Sequence, residues 1–109
     1  MTEKQVLDVF AALSQTTRLK VFRILVENSK DGICPCDIAE KLKIPRNTLS
    51  FHLSWLSKAN LCSTEKKGKT IIYRSNCKEI QKVSDYLLQN CCSLKCSGRS
   101  AEKIIKKIK

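Results

Sequence analysis

Two prolines, Pro35 and Pro45, do most to limit what this chain can fold into. A proline fits the first turn of an α-helix, where its missing N–H has no partner to lose, and it breaks a helix further in. Each therefore opens a helix here and forbids one continuous helix through the segment. Ile38, Ala39 and Leu42 give the first, residues 35–42, a short apolar edge of roughly two turns. In the second, residues 46–59, Leu49, Leu53 and Leu56 recur at i, i+4 and i+7. A brief helix, a tight turn at Lys43-Ile44-Pro45 and a longer helix make a helix-turn-helix.

The flanking segments supply a body for that pair. Val6, Val9, Phe10 and Leu13 fall on one stripe of a first helix, and Ser14 to Thr17 interrupts it with hydroxyls suited to capping. A second helix over 17–27 is expected to turn Leu19, Phe22, Leu25 and Val26 inward and Arg18, Lys20 and Arg23 outward. After the helix-turn-helix, residues 61–66 and 70–75 are extended runs with Gly68 between them, the second rich in β-branched and aromatic residues. A fifth helix from Lys78 carries Ile80, Val83, Leu87 and Leu88 on one face and runs toward Asn90-Cys91-Cys92. The chain's 109 residues suffice for one core and not two. The expected fold class is mainly α (α+β), a winged helix-turn-helix of about five helices with a two-stranded β-hairpin wing. It occupies residues 1–92, followed by a basic tail over 93–109.

Twenty-one Lys and Arg against 10 Asp and Glu give a formal charge of +11, which points to a polyanionic partner. Met1-Thr2-Glu3-Lys4 leads into an amphipathic pattern rather than an apolar export signal, and nowhere do about 18 apolar residues run together. A cytoplasmic protein with no membrane partner is the expectation, and double-stranded DNA fits the charge. If Leu49, Leu53 and Leu56 face the core, Asn47, Ser50, Phe51 and Ser54 face away from it. Asparagine can pair bidentately with adenine, serine with several bases, and phenylalanine can pack on a thymine methyl. Arg46 at the helix start can reach phosphate or guanine. Lys66, Lys67 and Lys69 at the hairpin tip, with Arg74 on the return strand, suit an adjacent backbone or minor groove. Any one of these lysines alone is more simply a solubilising charge; it is the conjunction of helix pair, basic hairpin and net charge that indicates DNA. His52 fits either a phosphate contact or a structural imidazole, and Trp55 reads as packing beside the core.

Ala12-Leu13-Ser14-Gln15-Thr16-Thr17-Arg18-Leu19, Asn47-Thr48-Leu49-Ser50-Phe51-His52-Leu53 and Lys69-Thr70-Ile71-Ile72-Tyr73-Arg74 resemble, in that order, the ArsR/SmtB family of metal-responsive repressors. The resemblance spans residues 6–92. It implies a homodimeric winged-helix repressor that binds a palindromic operator and releases it when a metal or metalloid binds. Because the inducer site differs between branches of the family, the cysteines must identify it.

Seven cysteines without an export signal argue against a disulfide framework, since an odd number cannot all pair and the cytosol keeps thiols reduced. Cys91, Cys92 and Cys96 form a Cys-Cys-x-x-x-Cys cluster with no histidine or carboxylate close by, a donor set for a thiophilic ion. As(III) and Sb(III) take three sulfurs. On an intact helix Cys91 would point about 100° from Cys92, so the helix is expected to fray near Asn90 for the three to converge. The cluster also resembles one arsenic-responsive branch of the family. Cys34-Pro35-Cys36 is the competitor, because another branch carries Cys-x-Cys-x-x-Cys on the third helix; here Ala39 stands where the third thiol would fall. Cys62 and Cys77 read as small apolar residues. Zinc is disfavoured, since Asp85 lacks the histidine companion that the family's zinc sites use at this helix.

The reading is thus a repressor released by As(III) or Sb(III) at Cys91, Cys92 and Cys96. The alternative keeps the fold and makes the same thiols a redox switch or a sensor of Cd, Pb or Hg. A thiol enzyme is opposed by the lack of a Cys-x-x-Cys motif, a second histidine or a Gly-rich cofactor loop.

Overall fold

In the computed structural model, residues 1–91 are described, and they form five helices and one hairpin. Helix α1 (Glu3–Leu13) begins at a capping box: Thr2 Oγ1 accepts from the Gln5 N–H at 3.1 Å, and the Thr2 N–H donates to Gln5 Oε1 at 2.8 Å. Helix α2 (Thr16–Glu27) is capped by the Gln15 side chain, which accepts from the Arg18 N–H at 2.8 Å. Pro35 opens α3 (Pro35–Leu42), which stops at Lys43 in the left-handed region with φ 55°. Pro45 caps α4 (Arg46–Lys58). Strands β1 (Cys62–Lys67) and β2 (Thr70–Ser75) pair antiparallel, from Cys62 opposite Ser75 to Lys67 opposite Thr70. Gly68, with φ 61°, takes the first position of the two-residue turn, where a tight hairpin favours glycine. Helix α5 is Cys77–Leu88.

The core lies where α1, α2 and α4 meet. Leu25, Ile38, Leu49, Leu56 and Leu61 are fully buried, with Val6, Val9, Ala12, Val21, Phe22, Leu53 and Val83 around them. The expected α4 stripe of Leu49, Leu53 and Leu56 is therefore the one that seats α4 on the core.

Three expected core residues are not in it. Phe10 is 44% exposed, Leu19 47% and Leu87 58%, while Ala12 and Val21 take places that the periodicity had not assigned. Helices pack closest where side chains are small, so α1 turns its Val9 and Ala12 edge inward and leaves the larger Phe10 and Leu7 outside. Arg18, expected to face solvent, bends back instead. Its Nε donates to the Ala12 carbonyl at 2.9 Å, closing the end of α1, and its guanidinium sits 4.6 Å from the Trp55 ring centroid.

The wing is tied to the body by a pairing that the sequence did not announce. Ile33, just before α3, bridges Tyr73 of β2 through N–H···O bonds of 3.0 and 2.8 Å in both directions. Gly32 makes this approach possible: it has φ 79°, and a Cβ there would lie 2.1 Å from Ile72 Cγ2.

Candidate nucleic-acid interface

Helix α4 is divided cleanly along its length. Leu49, His52, Leu53 and Leu56 are buried, whereas Arg46, Asn47, Ser50, Phe51 and Ser54 are exposed, in keeping with a 3.6-residue period. Phe51 is the most open of the aromatic residues, at 58%. Two of the outward polar groups are occupied locally: Asn47 Oδ1 accepts from the Thr48 N–H at 3.0 Å, and Ser54 Oγ donates to the Phe51 carbonyl at 2.8 Å. Both bonds are weak local closures that a base edge can replace.

On the wing, Lys66, Lys67 and Lys69 are all exposed around the turn. Arg74 differs from them. It is half-buried, pairs with the Glu65 carboxylate across the hairpin and donates to the Asp31 carbonyl at 3.3 Å. That guanidinium holds the Glu65 carboxyl below the usual carboxylate range, first by hydrogen bonding and then by charge. Arg74 thus braces the wing against the turn after α2.

The cysteines fall into two groups. Of the proposed tail cluster, Cys91 is described and Cys92 and Cys96, like the tail 93–109, lie outside the described residues. Helix α5 ends at Leu88, and Asn90 has φ 64°, so the helical path is broken just before Cys91, where the reading expected it to fray. The other group lies wholly within the described residues. Cys34 Sγ and Cys36 Sγ lie 2.6 Å apart at the start of α3, and with an Asp37 carboxylate oxygen they fall within 4.8 Å of one another. The hydrogen bond with Cys36, and then burial, push the Cys34 thiol above its ordinary value. A groove of about 290 Å³ joins Cys34 and Cys36 to Arg46 at the start of α4 and to Lys69 and Thr70 on the wing. Cys62 is buried, 3.3 Å from Ser57 Oγ, as a small core residue would be. Cys77 is not: it is exposed in the first turn of α5, two residues after the end of β2, with Ser75 Oγ 3.4 Å from its sulfur.

Comparison with known proteins assigns this arrangement. Residues 13–62, from the end of α1 into β1, match a helix-turn-helix domain model. An arsenical resistance operon repressor of Bacillus subtilis (strain 168) is 33% identical over 89 residues, covering 82% of this chain and 81% of that protein. The chain belongs to the ArsR/SmtB family of winged-helix transcriptional regulators. A helix-turn-helix-type transcriptional regulator of Methanocaldococcus jannaschii is 36% identical to this ArsR/SmtB chain over 83 residues, covering 73% of the chain and 91% of the relative. The solved structure of an ArsR-like transcriptional regulator from Rhodococcus sp. RHA1 superposes with a TM-score of 0.70 at 25% identity, over 96% of this chain and 90% of that one. The relatives are regulators, not enzymes. Among the described residues no helix is long and apolar enough to cross a membrane.

One site feature of this ArsR/SmtB protein escaped sequence reasoning, and the structure decides between the two roles that His52 fitted. Asp37 follows Cys36 directly and could have been counted as a third donor, had thiols alone not been sought. His52 is 8% exposed, inside the reading helix, in edge-to-face contact with Phe51 at 5.6 Å, and its Nδ1 has no partner among the described residues. Desolvation, and secondarily the charge of Arg18, lower its pKa. A phosphate contact from His52 is therefore set aside, since a buried neutral imidazole is not presented to DNA.

Proposed function

We propose that this ArsR/SmtB protein is a homodimeric repressor that grips operator DNA with α4 and the wing, and lets go when As(III) or Sb(III) binds Cys91, Cys92 and Cys96. The observation that carries the DNA reading is the row of Asn47, Ser50, Phe51 and Ser54 standing exposed beside a fully seated leucine stripe. A short polar row on a rigidly held helix is what a major groove admits. Arg46, Lys66, Lys67 and Lys69 add sequence-independent attraction to phosphate.

The dimer reading is supported by apolar surface that the single chain leaves uncovered. Leu7 and Phe10 on α1 and Leu87 on α5 are exposed, and α1 and α5 pack against each other. A second copy would bury these faces and place two reading helices on successive major-groove faces, as a palindromic operator requires. Cys91 follows α5 by three residues, so a ligand gathered there acts at the helix that this dimer would share. The arsenical resistance repressor of Bacillus subtilis supports a metalloid as inducer.

A fluorescent duplex selected from a random library by the protein itself serves as probe. Saturating arsenite or antimonite should abolish the anisotropy of the complex, and Cys91→Ser, Cys92→Ser and Cys96→Ser should each prevent that release. A complex untouched by either metalloid would sink the reading. The second reading places the inducer at Cys34, Cys36 and Asp37, whose closeness favours it. Two thiolates and a carboxylate suit a divalent ion such as Cd(II) better than a three-sulfur metalloid. Release by Cd(II) that survives the tail substitutions and fails in Cys34→Ser would establish it.

A further inference from the structure

The thiol pair at the foot of the wing can do chemistry that needs no ion. Cys34 Sγ and Cys36 Sγ are 2.6 Å apart, against a disulfide bond of about 2.05 Å, and only Pro35 separates the two residues. Cys36 is exposed and Cys34 half-buried. Open grooves flank Cys34 on both sides, one between α3 and β2 and the other reaching Arg46 and Lys69. A small oxidant has access, and Arg46 and Lys69 line the second groove, where they draw an anion.

We propose that Cys34 and Cys36 are a redox-active dithiol which a low-molecular-weight disulfide closes to an intrachain disulfide, loosening the wing and weakening the hold on DNA. The exchange balances in two steps. The thiolate of Cys36, the exposed member, attacks one sulfur of the oxidant. Its S–S bond breaks, one thiolate leaves, and a mixed disulfide remains on Cys36. Cys34 then loses its proton and attacks the Cys36 sulfur, expelling the second thiolate. Two protein thiols give up two electrons, the oxidant is reduced to two thiols, and the two protons end on them.

Closure reaches DNA through the backbone. Cys34 is the N-cap of α3, with φ −84° and ψ 154°, and its carbonyl accepts from the Asp37 and Ile38 N–H groups at 3.1 and 3.2 Å. Pro35 holds its own φ fixed, so the short ring must be accommodated by rotation at Cys34 and Cys36. The residue before Cys34 is Ile33, whose two bonds to Tyr73 hold β2. Rotation at Cys34 is therefore passed straight to the wing's anchorage and to the first turn of the helix-turn-helix.

The full chain, equilibrated with graded mixtures of glutathione disulfide and glutathione, alkylated with N-ethylmaleimide and digested, tests this. The peptide holding Cys34 and Cys36 should lose two hydrogen masses and take up no alkyl group as the mixture becomes oxidising. Affinity for the selected duplex should fall about tenfold in step and recover with dithiothreitol. In Cys36→Ser that fall should be absent. A peptide alkylated at both positions in fully oxidised glutathione, or one stalled as a glutathione adduct, would overturn the dithiol. Closure with affinity unchanged, or an equal fall in Cys36→Ser, would overturn its action on DNA. The affinity readout rests on the DNA reading above, but the mass readout does not. A chain that bound no duplex at all would defeat that reading, and with it the regulatory half of this one, while closure would still be judged by mass.

Discussion

The two elements that the proposed function sets against DNA, helix α4 and the wing, are built in opposite ways. Helix α4 sits on Leu49, Leu53 and Leu56, which are 0, 3 and 0% exposed, so its outward row inherits the rigidity of the core. In the wing only Cys62 of β1 is buried, Ile71 of β2 is 48% exposed, and the hairpin is held near its base by the Ile33–Tyr73 bridge and the Arg74–Glu65 pair. The difference follows from the contact each must make. Base edges are read by hydrogen bonds that fail when displaced by an ångström, whereas phosphate attracts lysines over a Debye length of about 8 Å in physiological salt. Precision is placed on the packed element and charge on the loosely supported one.

The comparison is tested most severely by removing the seat of α4. Leu56→Ala should destabilise the fold by about 3 kcal/mol, since it deletes a fully buried side chain at the centre of the core. Urea denaturation measures this. A loss below about 1 kcal/mol would mean that α4 is not anchored as described.

Next in size are changes that leave the seat intact. Asn47→Ala should weaken the selected duplex by about 2 kcal/mol, while random duplex and the salt dependence stay nearly unchanged. An equal loss on both duplexes would move Asn47 from reading to mere contact. Replacing Lys66, Lys67 and Lys69 together by Ala should do the reverse. The slope of log affinity against log salt should shrink by nearly 3, about 0.9 per phosphate contact, with similar losses on selected and random DNA. If that triple variant lost discrimination instead, the division of labour between helix and wing would collapse.

Much of this architecture was legible before the fold was known, and the exceptions have physical causes. Pro35, Pro45 and the leucine repeat of α4 are strong local signals, and the outward row of the reading helix follows from them by subtraction. The Ile33–Tyr73 bridge has no such signal, because one paired residue makes no period. Phe10, Leu19 and Leu87 were placed in the core since periodicity marks an apolar face without saying what covers it. Arg18 was sent to solvent on its charge, yet an aromatic face and a helix-end carbonyl satisfy it inside the structure. In the site, the Cys34–Cys36 pair was visible as spacing alone. Asp37 is its neighbour on the same helix, but its closeness to Arg46 and Lys69 arises only when α3 is docked between α4 and the wing.

The smallest expected effect lies under the precise element itself, at His52. Burial and the charge of Arg18 both oppose its protonation in the folded chain, so its pKa is lowered from the ordinary 6.5. The folded protein then binds fewer protons than the unfolded chain at pH values between the folded value and 6.5. Stability from the neutral ring is fully present above pH 6.5 and is lost as the pH falls from there through the folded value. Urea midpoints at pH 7.5 and 5.5 should show the wild type losing more stability on acidification than His52→Gln, which has no proton to take up. The loss should be shared by DNA affinity only through the folded fraction, because the imidazole faces the core and not the groove. Parallel losses in the two proteins would mean that His52 titrates freely. Its burial would then not belong to the rigid seat that separates α4 from the wing.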